Sequence, residues 1–403
     1  MTKQEIEEYL SSLPLRYERD GYDKFIKKTR LSLHAPLIHV IGSNGKSTVC
    51  EFLNAIYRTK YHVGLLTNSY LVSSLECIKV DGIAITEEEF TRIYSENAKL
   101  IDKLELSRWE ILCYVAFSFF NEKKIDLAIV ESSLGGMNDA SYIDDNDSRL
   151  VILTSLSLEH TDYLGTTLSQ IALNKVSVLN DGSKLLIPSL GEELTKLLRD
   201  YADSLSSELY VRDAYHFEKP IDGAYGFHFR PYGNLVIQGK AKYLVEDACF
   251  ALEAVNILQK EFPLDDDESV KKALITLSLP CMVEERAGAI FDYASNPEAA
   301  EALVEALPLI KGEVAFLFAA RKDANIASIL PFLSNYCPVS IITSLDNEAI
   351  RHQDGYFFYL EDYEYVDDPL EAYNKLKTDH PEAKILITGS KELVRYMRKA
   401  LEK

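Results

Sequence analysis

The sequence predicts a two-domain α/β protein: an N-terminal P-loop-type domain on a mostly parallel sheet, and a smaller C-terminal Rossmann-like α/β domain. Three observations carry that expectation. The short apolar run Leu37–Ile41 is followed by a glycine-bearing loop and then by Val49, Phe52, Leu53 and Ile56 at helical spacing, which reads as strand, loop, helix. From Ala289 onward, short β-prone apolar runs alternate with helical stretches, the pattern of a second parallel sheet. At 403 residues the chain is also too long for one ordinary core.

Composition narrows the class. Lys and Arg number 43 against 63 Asp and Glu, a net charge of −20, which argues against nucleic-acid binding because a phosphate backbone would be repelled. The six cysteines are scattered with no Cys-x-x-Cys pair, so reduced, mostly buried thiols in a cytoplasmic protein are expected. The start, Met1-Thr2-Lys3-Gln4-Glu5, is polar and acidic and is not read as a signal peptide. No apolar run approaches the roughly 20 residues of a membrane helix. A monomer with small-molecule partners, free of membrane and nucleic acid, is the expectation.

The loop Gly42-Ser43-Asn44-Gly45-Lys46-Ser47-Thr48 organises the rest. Its glycines let backbone N–H groups turn towards a phosphate, and the following helix N-terminus adds partial positive charge. Lys46 would reach terminal phosphates, and a hydroxyl would sit near Mg²⁺. A loop whose glycines serve only a turn is the competing reading. The common phosphate-loop spacing is not kept, since Val40 stands five residues before Gly45. The stretch instead resembles the compressed Gly-x-Asn-Gly-Lys-[Ser/Thr]-Thr loop of the Mur ligase superfamily.

In chain order, Ile6, Tyr9 and Leu10 mark an amphipathic helix, followed by a polar, basic lead-in to the first strand. Residues 62–66 read as a strand, 76–85 as a hairpin around Asp81-Gly82, and Thr86 as the cap of a helix. A core helix runs through Trp109 to Phe120. A buried strand, 127–130, then delivers Glu131 at its C-terminal end, where open α/β sheets bind ligands. A further strand, 150–155, leads to Glu159-His160, a carboxylate beside an imidazole that suits a metal, and then to the helix 168–175. Residues 180–240 read as short strands and turns extending the first sheet, with aromatic segments at 215–217 and 226–229; 243–258 is a helix. The boundary falls near 279–284, giving domains 1–282 and 283–403. Strands at 289–292, 314–318, 339–342 and 385–388 alternate with helices at 298–307, 325–333, 369–376 and 392–401.

Over roughly residues 37–401 the order of motifs resembles the folylpolyglutamate synthase and dihydrofolate synthase family of that superfamily. Gly64, Leu65, Thr67, Leu71, Val72, Ser73, Glu76, Ile78, Gly82, Ile85 and Phe90 match, while Asn68, Tyr70 and Cys77 replace serine, histidine and arginine. Glu131, Leu134, Gly135, Gly136, Asp139 and Ala140 match the next motif, with Met137 in place of arginine. Glu159-His160-Thr161 stands for Asp-His-Thr, and Ile171-Ala172 with Lys175 matches Ile-Ala-x-x-Lys. Tyr243, Leu244 and Asp247 replace His, Gln and Asn, and the Pro-Gly-Arg-x-Glu joint keeps only Pro280 and Glu284. Asp292 and Asn296 match Asp-Gly-Ala-His-Asn-Pro with Ser295 in place of histidine, and Lys322 lies in an Asp-Lys-Asp-like run.

The resemblance implies an ATP-dependent ligase that adds glutamate to a folate- or dihydropteroate-like acceptor through an acyl phosphate. It implies catalytic roles for Lys46, His160 and Lys175, and ATP contacts from Gly42 through Thr48 together with Asp292 and Asn296. It implies Mg²⁺ ligation, by two ions in the fullest form, through Ser47, Asn68, Glu131, His160 and a carbamylated Lys175. Substrate contacts fall to Ser73, Asp139 and Lys322, with the C-terminal domain closing over the nucleotide. The replaced residues keep two alternatives open, a superfamily ligase with a non-folate acceptor and a non-catalytic nucleotide-binding descendant. Lys175→Ala is expected to cost little stability, because alanine leaves the Ile171-Ala172 face of the helix alone.

Overall fold

The structure is a computed structural model that describes residues 1–13, 19–144, 146–212, 223–337 and 339–402. The aromatic segment at 215–217 lies outside the described residues. The described residues of Met1–His216, His228–Leu235 and Glu246–Leu277 form one compact unit. Those of Phe217–Phe227, Val236–Val245 and Ser278–Lys403 form another.

The chain begins with helices α1 (Lys3–Ser12) and α2 (Asp20–Thr29), then strand β1 (Leu37–Ile41), helix α3 (Lys46–Tyr57) and strand β2 (Val63–Leu66). The hairpin β3 (Ile78–Val80) and β4 (Ile83–Ala84) turns at Asp81 and Gly82, both at positive φ as a tight hairpin turn demands. Helices α4 (Glu87–Leu104) and α5 (Arg108–Lys123) follow, each opened by a reciprocal capping box, Thr86 with Glu89 and Ser107 with Glu110. Next come β5 (Leu127–Glu131), β6 (Ser148–Leu153), the short α6 (Thr161–Leu164), α7 (Leu168–Val176), β7 (Lys184–Ile187), α8 (Glu192–Ser204) and β8 (Glu208–Val211).

These strands make an eight-stranded sheet in the order β4-β3-β2-β5-β1-β6-β7-β8. Pairing is parallel from β2 across to β8 and antiparallel only at the β2-β3-β4 edge. Strands β1 and β5 are buried at every position, as central strands covered on both faces should be. The C-terminal ends of β1, β5 and β6 therefore lie side by side, and the phosphate-type loop, Glu131 and Thr154 emerge there.

Among the described residues strands β9 (Ala224–Phe229) and β10 (Gly233–Gln238) pair only with each other, and helix α9 (Tyr243–Leu258) and α10 (Asp267–Thr276) follow. The remaining elements are β11 (Met282–Arg286), β12 (Ala289–Asp292), α11 (Pro297–Ala306), β13 (Val314–Phe318), α12 (Ile326–Tyr336), β14 (Ser340–Ile342), β15 (Glu364–Tyr365), α13 (Pro369–Asp379), β16 (Lys384–Thr388) and α14 (Lys391–Leu401). Their sheet has the order β11-β12-β16-β13-β14-β15, parallel except for the β11–β12 pair. The expected α/β architecture with two mostly parallel sheets is thus what the chain adopts.

Among the described residues four α-helices were not foreseen, the single-turn α6 and three longer ones. The lead-in before β1 holds α2, whose buried contribution is only Tyr22 and Phe25; it is set by Asp20 and Asp23 in the first turn, Lys27 and Lys28 in the last, and a left-handed Arg30 at its end. Helix α8 lies in the stretch read as strands and turns, and buries only Leu198 and Ala202. Helix α10, capped by Asp266, fills a segment that carried no assignment. All six cysteines are buried free thiols. Among the described residues no helix is long and apolar enough to cross a membrane.

Candidate active site

The loop after β1 is shaped by the end of β6. Thr154 Oγ1 donates to Asn44 O at 2.6 Å, Ser155 Oγ accepts from Asn44 N at 2.7 Å, and Ser43 N donates to Ser155 O at 3.1 Å. A Cβ on Gly42, which sits at φ 137°, would run into the Thr154 hydroxyl, so this close approach admits only glycine. Thr154 and Ser155 were not picked out from the sequence; two hydroxyls just past an apolar strand were the available signal. At the far end of the loop Gly45 takes φ 81° and opens α3. Lys46 Nζ donates to Gly42 O at 2.9 Å and Ser43 O at 3.0 Å, which holds its ammonium over the loop.

Beside the loop, Glu131 is 3% exposed, and its Oε2 accepts from Ser47 Oγ at 2.8 Å and from Asn68 N at 3.0 Å. Asn68 Nδ2 donates to Ser133 Oγ at 3.1 Å, leaving the amide oxygen out of that bond. A hydroxyl, a carboxylate and an amide oxygen are hard oxygen donors, a set that fits Mg²⁺ with water completing its shell. His160 is exposed, in a left-handed conformation at the start of α6. Among the described residues, no three His, Cys, Asp or Glu side chains stand at metal-holding spacing.

Lys175 reaches the loop at Gly42. It is 1% exposed, and Nζ donates to Gly42 O at 3.0 Å, Leu134 O at 3.1 Å and Glu159 Oε1 at 2.9 Å. Burial pulls its ammonium below the ordinary lysine value; Glu159 opposes that and Lys46 adds to it. For Glu159 burial works against ionisation, yet Lys175 and Lys46 outweigh it and hold the carboxyl below its ordinary value. The expectation that Lys175→Ala would cost little stability is corrected here. Lys175 stands four residues after Ile171 and three after Ala172, and so shares their buried face.

The segment after Glu131 is built around Asp139. One carboxylate oxygen accepts from Leu134 N and Gly135 N; the other accepts from Trp109 Nε1, Ser141 N and Ser141 Oγ. Burial opposes its ionisation, but the bonds from Ser141, Trp109 and Gly135 hold it below the usual range. Its geometry is that of a group that fixes the loop. His39 in β1 joins the network, with Nε2 at 2.8 Å from Ser132 Oγ and 2.9 Å from Ser141 Oγ, and burial lowers it to about 4 despite Asp139. Ser73 is likewise inward-turned: its hydroxyl donates to Glu7 Oε1 at 2.8 Å, tying the segment after β2 to α1. Arg108 stacks 4.8 Å over the Tyr70 ring and donates to Ser74 Oγ at 2.8 Å.

In the C-terminal unit, Asp292 ends β12 and accepts from Tyr243 Oη at 2.9 Å, Val283 N at 3.1 Å and Ala294 N at 3.0 Å. Asn296 Oδ1 accepts from Ala299 N at 2.8 Å and caps α11. The Lys322 side chain is exposed, and its backbone is held by Ala349 and Arg351. Burial raises Asp292 to about 6 although three donors face it. Its folded value thus exceeds the unfolded one near 4, and as pH falls through that window the folded form takes up the proton first. Stability of the wild type relative to Asp292→Asn should therefore rise between pH 7 and pH 4 in urea unfolding. Parallel pH profiles for the two proteins would contradict this.

With this geometry in place, the comparisons with known proteins converge. Residues 40–199 match the Mur ligase middle domain, which spans the loop, Glu131, His160 and Lys175. The chain is 24% identical over 388 residues to dihydrofolate synthase/folylpolyglutamate synthase of Bacillus subtilis, covering 90% of both chains. It is 25% identical over 378 residues to the Escherichia coli protein of that name, covering 91% of this chain and 87% of the other. In fold it is similar to a Mycobacterium tuberculosis folylpolyglutamate synthase solved with ADP and AMPPCP, at TM-score 0.87 and 20% identity over 100% and 98% of the two chains. A bifunctional folylpolyglutamate synthase/dihydrofolate synthase solved with Mn, AMPPNP and L-glutamate aligns at TM-score 0.82 and 24% identity, over 100% and 98%. Over most of its length the chain is thus similar to folylpolyglutamate and dihydrofolate synthases.

Proposed function

We propose that this chain is an ATP-dependent carboxylate–amine ligase that joins L-glutamate to a folate-type carboxylate. The observation that carries the reading is the convergence of Lys46, the Ser47–Glu131 pair and the Lys175–Glu159 pair on one glycine loop at the ends of β1 and β5. An acceptor carboxylate oxygen bonds to the γ-phosphorus of ATP, and the bond to ADP breaks. The glutamate amine then attacks the acyl carbon, phosphate leaves, and the amine gives up its proton. This chemistry needs orientation and charge neutralisation more than a protein nucleophile.

Lys46 is placed to exchange the Gly42 and Ser43 carbonyls for terminal phosphate oxygens, and the backbone N–H groups of 42–48 to cradle them. Ser47, Asn68 and Glu131, with His160 from the α6 start, would hold Mg²⁺, which supplies charge neutralisation of the phosphoryl group when bound. Lys175 is our candidate for carbamylation. Burial favours the uncharged amine that such a modification requires, and the resulting anion would face Glu159 and so call for a cation between them. Asp292, Asn296 and Lys322 remain proposals for nucleotide and substrate contact, and Ser73 and Asp139 act by holding their loops. We place the protein in the cytoplasm, consistent with its buried free thiols, and propose that it acts as a monomer.

Glu131→Ala removes one oxygen ligand without emptying the set, so the Mg²⁺ concentration giving half-maximal activity should rise about ten- to a hundredfold. The same shift, smaller for an exposed ligand, is expected of His160→Ala. Unchanged Mg²⁺ dependence in both would remove them from the metal site. The function itself is tested by supplying ATP, Mg²⁺ and glutamate with dihydropteroate or tetrahydrofolate. A glutamylated product from at least one acceptor supports the reading. ADP release with neither points to a ligase for another acceptor, and no turnover with any points to a nucleotide-binding descendant.

A further inference from the structure

Asp247, in the first turns of α9, is 7% exposed, and its carboxylate packs against Gly45 of the loop. Its Oδ1 occupies the space a Cβ on Gly45 would need, and Oδ2 lies 3.2 Å from that same point. Oδ2 is buried and has no hydrogen-bond partner among the described residues. A carboxylate in this position would set a fixed negative charge against the backbone that receives phosphates, with one oxygen neither solvated nor bonded. Both costs vanish if that oxygen carries a proton.

We propose that Asp247 is a nucleotide-positioning residue that must be protonated for the loop to accept its phosphates, so that nucleotide binding and proton uptake are linked. The inference rests on the loop being the nucleotide site. The groups around Asp247 agree with it. Burial pushes its carboxyl well above the usual carboxylate range, Glu246 on the same helix adds to that, and Arg212 after β8 and the Thr48 hydroxyl offset it only in part. Cys249, also on α9, is itself raised to about 12 by burial and remains a thiol. On α3 the adjacent charge is Lys46, whose ammonium is turned onto the Gly42 and Ser43 carbonyls. No cation among these closes on Oδ2. When phosphates arrive, their charge raises the proton affinity of Asp247 further, which by linkage makes the protonated form the one that binds.

The test compares wild type with Asp247→Asn, an amide of the same shape that cannot ionise. ADP affinity with Mg²⁺ is measured from pH 6 to 9.5, by titration calorimetry in buffers of differing ionisation enthalpy. For the wild type, affinity should fall by up to about tenfold per pH unit once Asp247 titrates, with proton uptake approaching one per ADP. Asp247→Asn should bind ADP with neither that slope nor that uptake. Superimposable pH profiles and equal proton uptake in the two proteins would overturn the proposal while leaving the nucleotide site standing. Failure of both folded proteins to bind ADP would overturn the nucleotide site and the proposal with it.

Discussion

Lys46→Ala lowers ATP turnover by about a hundred- to a thousandfold, the loss typical of removing one preorganised charge from a developing oxyanion. The side chain reaches loop carbonyls, so its removal leaves Gly42 O with Lys175 and takes one donor from Ser43 O. Stability should change by no more than about 1 kcal/mol, the net value of ordinary hydrogen bonds. Steady-state ADP release together with urea unfolding of the same preparation separates the two effects. Turnover at the wild-type rate in a folded Lys46→Ala protein would break the assignment of the loop to phosphate binding.

Lys175→Ala has the second large effect, and here stability and activity fall together. The substitution takes one of two lysine donors from Gly42 O and the lysine donor from Leu134 O, and leaves the partly buried Glu159 without its main cation. Breaking a buried pair from one side costs about 3 kcal/mol, somewhat less here because Glu159 is 20% exposed. Activity should fall at least a hundredfold, since the loop carbonyl at Gly42 is shared with Lys46. Short carboxylates added to the folded variant should restore part of the activity if the native side chain is a carbamate, because an anion then refills its place. Activity loss without such rescue would mean that the native Lys175 acts as a cation. A fully active variant would remove Lys175 from the site altogether.

What could be read in advance depended on whether a signal was local. The β1–loop–α3 unit declared itself because strand, glycines and helix are contiguous, and Glu131 because it ends an unbroken apolar strand. Helix α2 was hidden: its two fully buried side chains, Tyr22 and Phe25, sit among charged residues, and its caps outweigh its apolar stripe. The residues that hold the loop were hidden for another reason. Thr154 and Asp247 lie more than a hundred residues from the glycines they touch, and nothing in their own neighbourhoods reports that contact. The same holds for Glu7, which anchors Ser73 and Ser74 from α1. Lys175 was recognised as a site residue, but its burial was missed. Its spacing of four from Ile171 and three from Ala172 shares their buried face, a signal the expectation of little stability cost passed over.

The central claim is that the acceptor carboxylate is activated by phosphorylation at this loop. It is tested most directly with an acceptor whose carboxylate oxygens are labelled with ¹⁸O. Ligation through an acyl phosphate transfers one labelled oxygen to inorganic phosphate for each amide bond formed, and ADP is the other product. Label appearing in AMP, or amide formation that leaves the released phosphate unlabelled, would contradict the account.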